Sequence, residues 1–203
     1  MNPIIFDIET APLPDSAVDR FKPEFEARRN YCDPNKIKAD IAEKEADWRD
    51  KLALSPLTGR VLCIGWLDGD EFHTIEGEEV NILTGFWNLT AHLCGRQFAG
   101  HNILAFDLPF IMRRSWAVGL RVPASDFDGH RLSPRFVDTM KLWACGVYGE
   151  RVSLDYLSKH LGVGEKNGNG KNFAALYASD RKAALAYLEN DCRLTAKAIQ
   201  RML

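Results

Sequence analysis

The chain has 203 residues, 46% of them apolar and 27% charged, with a net charge of −2. That length suits one compact domain with a sizeable core, and the composition is ordinary for a globular protein. The negative balance excludes a broad electrostatic clamp on duplex DNA, which would make the domain basic, but leaves room for an enzyme that grips a few nucleotides with metal ions supplying the positive charge.

Ile4, Ile5, Phe6 and Ile8 predict a short buried strand, interrupted by Asp7 and Glu9. Ala11-Pro12-Leu13-Pro14 breaks it. Residues 15–58 are charged and hold one convincing helix, about 34–54, with Ile37, Ile41, Trp48 and Leu52 on one stripe. This stretch reads as a helical insertion within a single domain spanning 1–203, being too short for an independent core. Arg60 to Leu67 predicts a strong strand, Asp68-Gly69 a two-residue hairpin turn, and Glu71 to Ile75 the returning strand.

Helical spacing then runs from Val80 to about Cys94, and Gln97 to Gly100 reads as a short strand leading into His101-Asn102. Asp107-Leu108-Pro109 looks like a capped helix start, with the helix continuing to about Val118. A loop over 119–135 precedes a brief strand, Phe136 to Asp138. Helices are expected near 139–145, 153–161 and 172–178, with a Gly/Asn/Lys loop over 162–171. Ser179-Asp180 should cap a last helix ending near Arg201. Strands joined first as a meander, then alternating with helices, predict an α/β domain with a mixed sheet flanked by helices.

Strand residues two apart share a face, so Asp7 and Glu9 project together. Two anions held close at a core edge are costly unless a cation sits between them, and hard divalent ions take carboxylate oxygens. Tyr187 and Asp191, four apart on the last helix, also share a face, beside the apolar Leu185, Leu188, Cys192 and Ile199. Asp107 stands in apolar company, and taken alone an acid before a helix is more often simply its cap.

In combination and in order, Asp7-x-Glu9, then Asn102-x-x-x-Phe106-Asp107, then Tyr187-x-x-x-Asp191 resembles the three motifs of the DEDDy 3′–5′ exonucleases, especially the branch related to the proofreading domain of family B DNA polymerases. Pro56 to Val61, Gly100-His101-Asn102, Val137-Asp138-Thr139 and Ser153 to Leu157 also stand where that branch would place them. The resemblance implies a ribonuclease H-like fold with the helical insertion after its first strand. It further implies a two-metal hydrolysis using Mg2+ or Mn2+, in which one ion activates water and the other stabilises the leaving 3′ oxygen. By resemblance, Asp7 bridges the two ions, Glu9 and Asp191 complete the water-side site, and Asp107 serves the leaving-group side. Tyr187 orients the water while keeping its own proton. Thr10 and Leu13 lie where the family contacts the 3′-terminal nucleotide, with Asn102 and Phe106 as substrate-side neighbours. The implied substrate is a single-stranded DNA 3′ end, released as nucleoside monophosphates. An exoribonuclease and a non-catalytic nucleic-acid-binding module on the same fold remain as alternatives.

His101 reads as a substrate contact or a turn residue, and Lys166 and Lys171 as phosphate contacts or a solvated loop. Glu165 to Asn172 lacks the first glycine, the hydroxyl residue and the preceding strand of an ATP loop. Five tryptophans fall mostly on apolar stripes and read as core. No apolar run approaches the roughly 20 residues of a membrane span, and no signal-peptide pattern opens the chain. Five scattered cysteines form no C-x-x-C pair, which argues against a disulfide framework or zinc cage and points to the cytoplasm.

Overall fold

A computed structural model describes residues 2–168 and 170–203. It divides into two compact units, Met1–Glu9 with Val61–Leu203, and Thr10–Arg60. The elements in chain order are β1 (Ile4–Pro12), α1 (Asp15–Val18), α2 (Pro34–Asp50), β2 (Gly59–Asp68), β3 (Glu71–Glu76), α3 (Glu79–His92), β4 (Phe98–Gly100), α4 (Asp107–Ala117), β5 (Phe136–Asp138), α5 (Thr139–Ala144), α6 (Leu154–Leu161), α7 (Phe173–Ser179) and α8 (Arg181–Met202). Among the described residues, no helix is long and apolar enough to cross a membrane.

The expected α/β architecture holds: a mixed five-stranded sheet in the order β3-β2-β1-β4-β5, flanked by helices. β1 pairs in parallel with β4, β4 pairs in parallel with β5, and β2 runs antiparallel to β3. Alternation along β1 separates two cores. Ile4, Phe6 and Ile8 join Leu83, Phe86, Leu108 and Ile111 on one face, while Ile5 joins Leu188 and Cys192 on the other. Each fully buried Leu or Phe of these layers contributes about 1.5–3 kcal/mol. α8 earns its place through a stripe at helical spacing, with Ala184, Leu188, Cys192, Thr195 and Ile199 all buried.

Four expectations shift. The hairpin pairs Asp68 with Glu71, so its two-residue loop is Gly69-Asp70 and not Asp68-Gly69, with Gly69 supplying the positive φ of 60° that such a loop requires. α2 stops at Asp50, four residues early, and a short 3-10 turn over Leu52–Leu54 follows. Ser55 precedes Pro56 and is therefore driven out of the helical region, to φ −114° and ψ 129°. Asp107 is the first helical residue of α4 and not its cap. Finally, of the five tryptophans only Trp87 is buried, its indole N–H bonded to the Ser115 hydroxyl at 2.9 Å, whereas Trp116 is 52% exposed.

Within the second unit, α2 buries a charge rather than an apolar side chain. The Asp40 carboxylate accepts from Arg28 N at 3.0 Å and pairs with Lys44 at 2.9 Å and Arg28 at 3.2 Å. Phe25 packs edge-on against Trp48, 6.1 Å between ring centres.

Candidate active site

The alternation that sends Ile5 towards α8 sends Asp7 and Glu9 the same way, two and four residues further along β1. Opposite them, Tyr187 and Asp191 stand on the buried stripe of α8 and are only 5% and 3% exposed. Carboxylate oxygens of Asp7, Glu9 and Asp191 consequently lie within 4.8 Å of one another. Two segments more than 180 positions apart in sequence thus meet at one point, beyond the central strand of the sheet. The carboxyl ends of parallel strands are where open α/β sheets form crevices.

Asp107 arrives from the other core layer. Its Oδ1 accepts the main-chain N–H of Ile8 at 3.1 Å, which sets its carboxyl against the strand that carries Asp7. A tightly organised turn delivers it there. A Cβ on Gly100 would lie 2.7 Å from the Phe6 carbonyl oxygen, so glycine alone lets β4 end against β1. Asn102 follows at φ 65°, a conformation Asn tolerates better than most side chains. Buried Asp138 ties this turn down. Its carboxylate accepts from Asn102 N at 2.8 Å, Leu104 N at 3.0 Å and Met140 N at 2.9 Å, the last as the cap of α5.

His101 faces inward and not towards the cleft opening alone. Its Nε2 lies 2.9 Å from the Val152 carbonyl and its Nδ1 2.8 Å from the Thr139 hydroxyl. A carbonyl can only accept, so Nε2 carries the proton and the Thr139 hydroxyl donates to Nδ1. Burial lowers the affinity of this ring for a second proton.

Desolvation dominates the electrostatics of the cluster. Burial, and then the charge of Asp191, raises the Asp7 carboxyl to about 7. Glu9 is pushed well above the ordinary carboxylate range by burial and by the charges of Asp7 and Asp191, and Asp107 likewise by burial and Asp7. Asp191 is also raised by burial, although Lys166 and the Tyr187 hydroxyl oppose the shift. Tyr187, within hydrogen-bonding reach of Asp191, is driven upward by burial and then by Asp191, so its hydroxyl stays protonated.

One cation already answers this charge. The Lys166 ammonium lies 2.5 Å from Asp191 Oδ2 and 5.0 Å from the centre of the Tyr187 ring. Its loop is fastened by the Lys166 N–H to Asp155 Oδ1 at 3.1 Å. Of the two lysines in the Gly/Asn loop, this one is a member of the acid cluster, a placement that sequence spacing does not signal.

Asp7, Asp107 and Asp191 open onto a cleft of about 280 Å³ whose walls include Asn102, Phe106, Ser153, Leu154 and Lys166. Phe106 is braced by Phe110, 5.5 Å between ring centres. Asn102 and Phe106 therefore join the acids in the first unit. Thr10 and Leu13 fall in the second, where Leu13 N–H donates to the Thr58 carbonyl at 2.8 Å.

The residues fit a hard divalent cation. The donor set is all carboxylate oxygen, which Mg2+ and Mn2+ favour. Moreover, Asp191 Oδ1 is buried without a hydrogen-bond partner among the described residues. A buried anion atom left unsatisfied costs free energy that a coordinated cation would recover.

No protein-family model and no curated protein sequence matches the chain. Among solved structures it is similar to a family B DNA polymerase from the hyperthermophilic archaeon Pyrobaculum calidifontis, with a TM-score of 0.62 and 18% identity over 97% of this chain and 24% of that one. The chain spans about a quarter of the polymerase's length, and at this identity the likeness is one of fold.

Proposed function

We propose that this chain is a metal-dependent 3′–5′ exonuclease of the DEDDy type, hydrolysing phosphodiester bonds at single-stranded DNA 3′ ends to release nucleoside monophosphates. The observation that carries this reading is the meeting of Asp7, Glu9 and Asp191 within 4.8 Å, with Asp107 bonded to the same strand. Similarity of fold to a DNA polymerase supports nucleic acid as the substrate class.

Divalent cations held by Asp7, Glu9, Asp107 and Asp191 would supply an activated water and stabilise the departing 3′ oxygen. The chain's own groups do the rest. Tyr187 keeps its proton, so its hydroxyl orients a water by hydrogen bonding and does not act as a base. Phe106 on the cleft wall offers a face for the terminal base, and Asn102 offers an amide to the terminal sugar or phosphate. Lys166 balances the acids before substrate arrives and stands within the cleft that would receive the scissile phosphate.

Digestion of 5′-labelled single- and double-stranded DNA and RNA, each with Mg2+, Mn2+ or a chelator, tests the proposal. It expects a ladder of shortened single-stranded DNA that needs metal. Absence of shortening with either ion contradicts it, and faster RNA trimming would reassign the substrate.

A further inference from the structure

Lys166 stands between two hollows. One is the cleft onto which Asp7, Asp107 and Asp191 open. The other, of about 290 Å³, is lined by Asp155, Lys159, Gly168 and Gly170 together with Lys166 itself. The ammonium is on the cleft side, 2.5 Å from Asp191 Oδ2, and its side chain is 23% exposed. Asp191 in turn has a carboxylate oxygen within 4.8 Å of oxygens of Asp7 and Glu9. Burial raises the proton affinity of all three acids, and the Lys166 charge works against that rise in each. Its influence therefore reaches beyond the acid it touches. An ammonium and a hard divalent cation seek the same partner, carboxylate oxygen.

The main chain around Lys166 is fastened independently of this ion pair. Lys166 N–H donates to Asp155 Oδ1 at 3.1 Å, and the Asn190 side-chain amide donates to the Glu165 carbonyl at 3.3 Å. Gly168 closes on the Tyr187 ring so tightly that a Cβ there would lie 2.8 Å from its Cδ2. A lysine carries its charge on a flexible four-carbon stem, so the ammonium can change partner while the loop keeps its place. The second hollow supplies another anion, Asp155, whose Oδ2 pairs with Lys159 at 2.7 Å. On the cleft side the lysine satisfies its partner only in part, since Asp191 Oδ1 is buried with no hydrogen-bond partner among the described residues.

We infer that Lys166 is a built-in placeholder for a divalent cation. Without metal its ammonium holds Asp191; when the cation binds, the ammonium gives up that carboxylate and turns into the neighbouring hollow beside Asp155. An ammonium and a divalent ion repel strongly across so short a distance in a buried site, so the two do not share Asp191. Cation uptake is thus an exchange, and the lysine sets the cation concentration at which the site fills. The inference rests on the metal-dependent reading and adds to it an internal competitor.

The test is a Mn2+ titration without nucleotide, read by the electron paramagnetic resonance signal of the free ion. It is run on the parent, Lys166→Met, Lys166→Arg and Lys159→Met. Met removes the charge and keeps an unbranched stem, Arg keeps the charge, and Lys159→Met removes a charge from the second hollow. A competent state populated in about one molecule in ten lowers apparent affinity about tenfold. Lys166→Met should therefore bind Mn2+ about tenfold more tightly, whereas Lys166→Arg and Lys159→Met stay near the parent. In chelator Lys166→Met should melt below the parent, and Mn2+ should restore it. Circular dichroism checks the fold, and Lys166→Gln repeats the titration should Met unsettle the loop. Equal or weaker binding by the uncharged variant, or equal tightening in Lys159→Met, overturns the placeholder while leaving the metal reading intact. No saturable uptake by either the parent or the uncharged variant removes the reading on which it rests.

Discussion

Asp107 Oδ1 accepts the main-chain N–H of Ile8 at 3.1 Å, across 99 positions of sequence. This bond places one carboxylate from the start of α4 beside the strand that carries two others, and it explains why Asp107 does not cap its own helix. The turn that leads into the acid is held in place by Asp138, which accepts from the main-chain N–H groups of Asn102 and Leu104.

Replacing Asp107 by Asn keeps an oxygen for the Ile8 N–H and removes the charge. Hydrolysis should fall about 10²–10³-fold, the range for removing one electrostatic stabiliser. The melting temperature should hold or rise, because a buried like-charged neighbour of Asp7 disappears. Rate assays and thermal unfolding on the same preparation check both halves.

The protonation of Asp7 gives a second test in the presence of a chelator. Its folded-state pKa, about 7, lies above the ordinary 3.8. Protonation therefore favours the folded state, and this contribution is fully present below about pH 4 and lost as pH rises through 7. Without divalent ions, thermal stability of the parent should decline between pH 5 and pH 8 more steeply than that of Asp7→Asn. Adding Mg2+ at pH 8 should restore it in the parent alone. Equal slopes for the two proteins contradict the assignment.

Two pairs in the site were legible from spacing alone. A strand's alternation announces that Asp7 and Glu9 share a face, and a helix's periodicity does the same for Tyr187 and Asp191. Neither rule tells which face meets which. That information resides in the packing of α8, through Leu188 and Cys192, on Ile5 of β1. Asp107 was ambiguous because an acid before Leu-Pro has the local grammar of a cap. Lys166 sits in a loop with no periodicity, so nothing local distinguishes it from Lys171. The apolar stripes misled at Trp116, since an amphipathic pattern does not say how far a neighbouring element extends to cover it.

Tyr187→Phe retains the ring that Lys166 overlies at 5.0 Å and deletes only the hydroxyl. kcat should drop about 10²-fold, at the low end for a positioned proton-handling group, while KM and the melting temperature stay close to the parent's. Steady-state kinetics on the labelled strand separates these. A matching rise in KM would place the tyrosine in binding instead.

Asp138→Asn tests the turn. The carboxylate serves three main-chain N–H groups, whereas an amide offers one accepting oxygen. Stability should fall by about 1–3 kcal/mol, the cost of leaving buried donors unpaired. Activity should fall as well, because Asn102 and Asp107 lose their support. Denaturant unfolding with and without Mg2+ measures the first effect and strand digestion the second.

The most direct measurement is Mn2+ binding, followed by electron paramagnetic resonance with thymidine monophosphate present, in the parent protein and in Asp7→Asn. Convergence of the acids predicts saturable Mn2+ uptake by the parent and its loss in the variant, with the variant still folded. Equal uptake by both proteins, or none by the parent, would contradict the site.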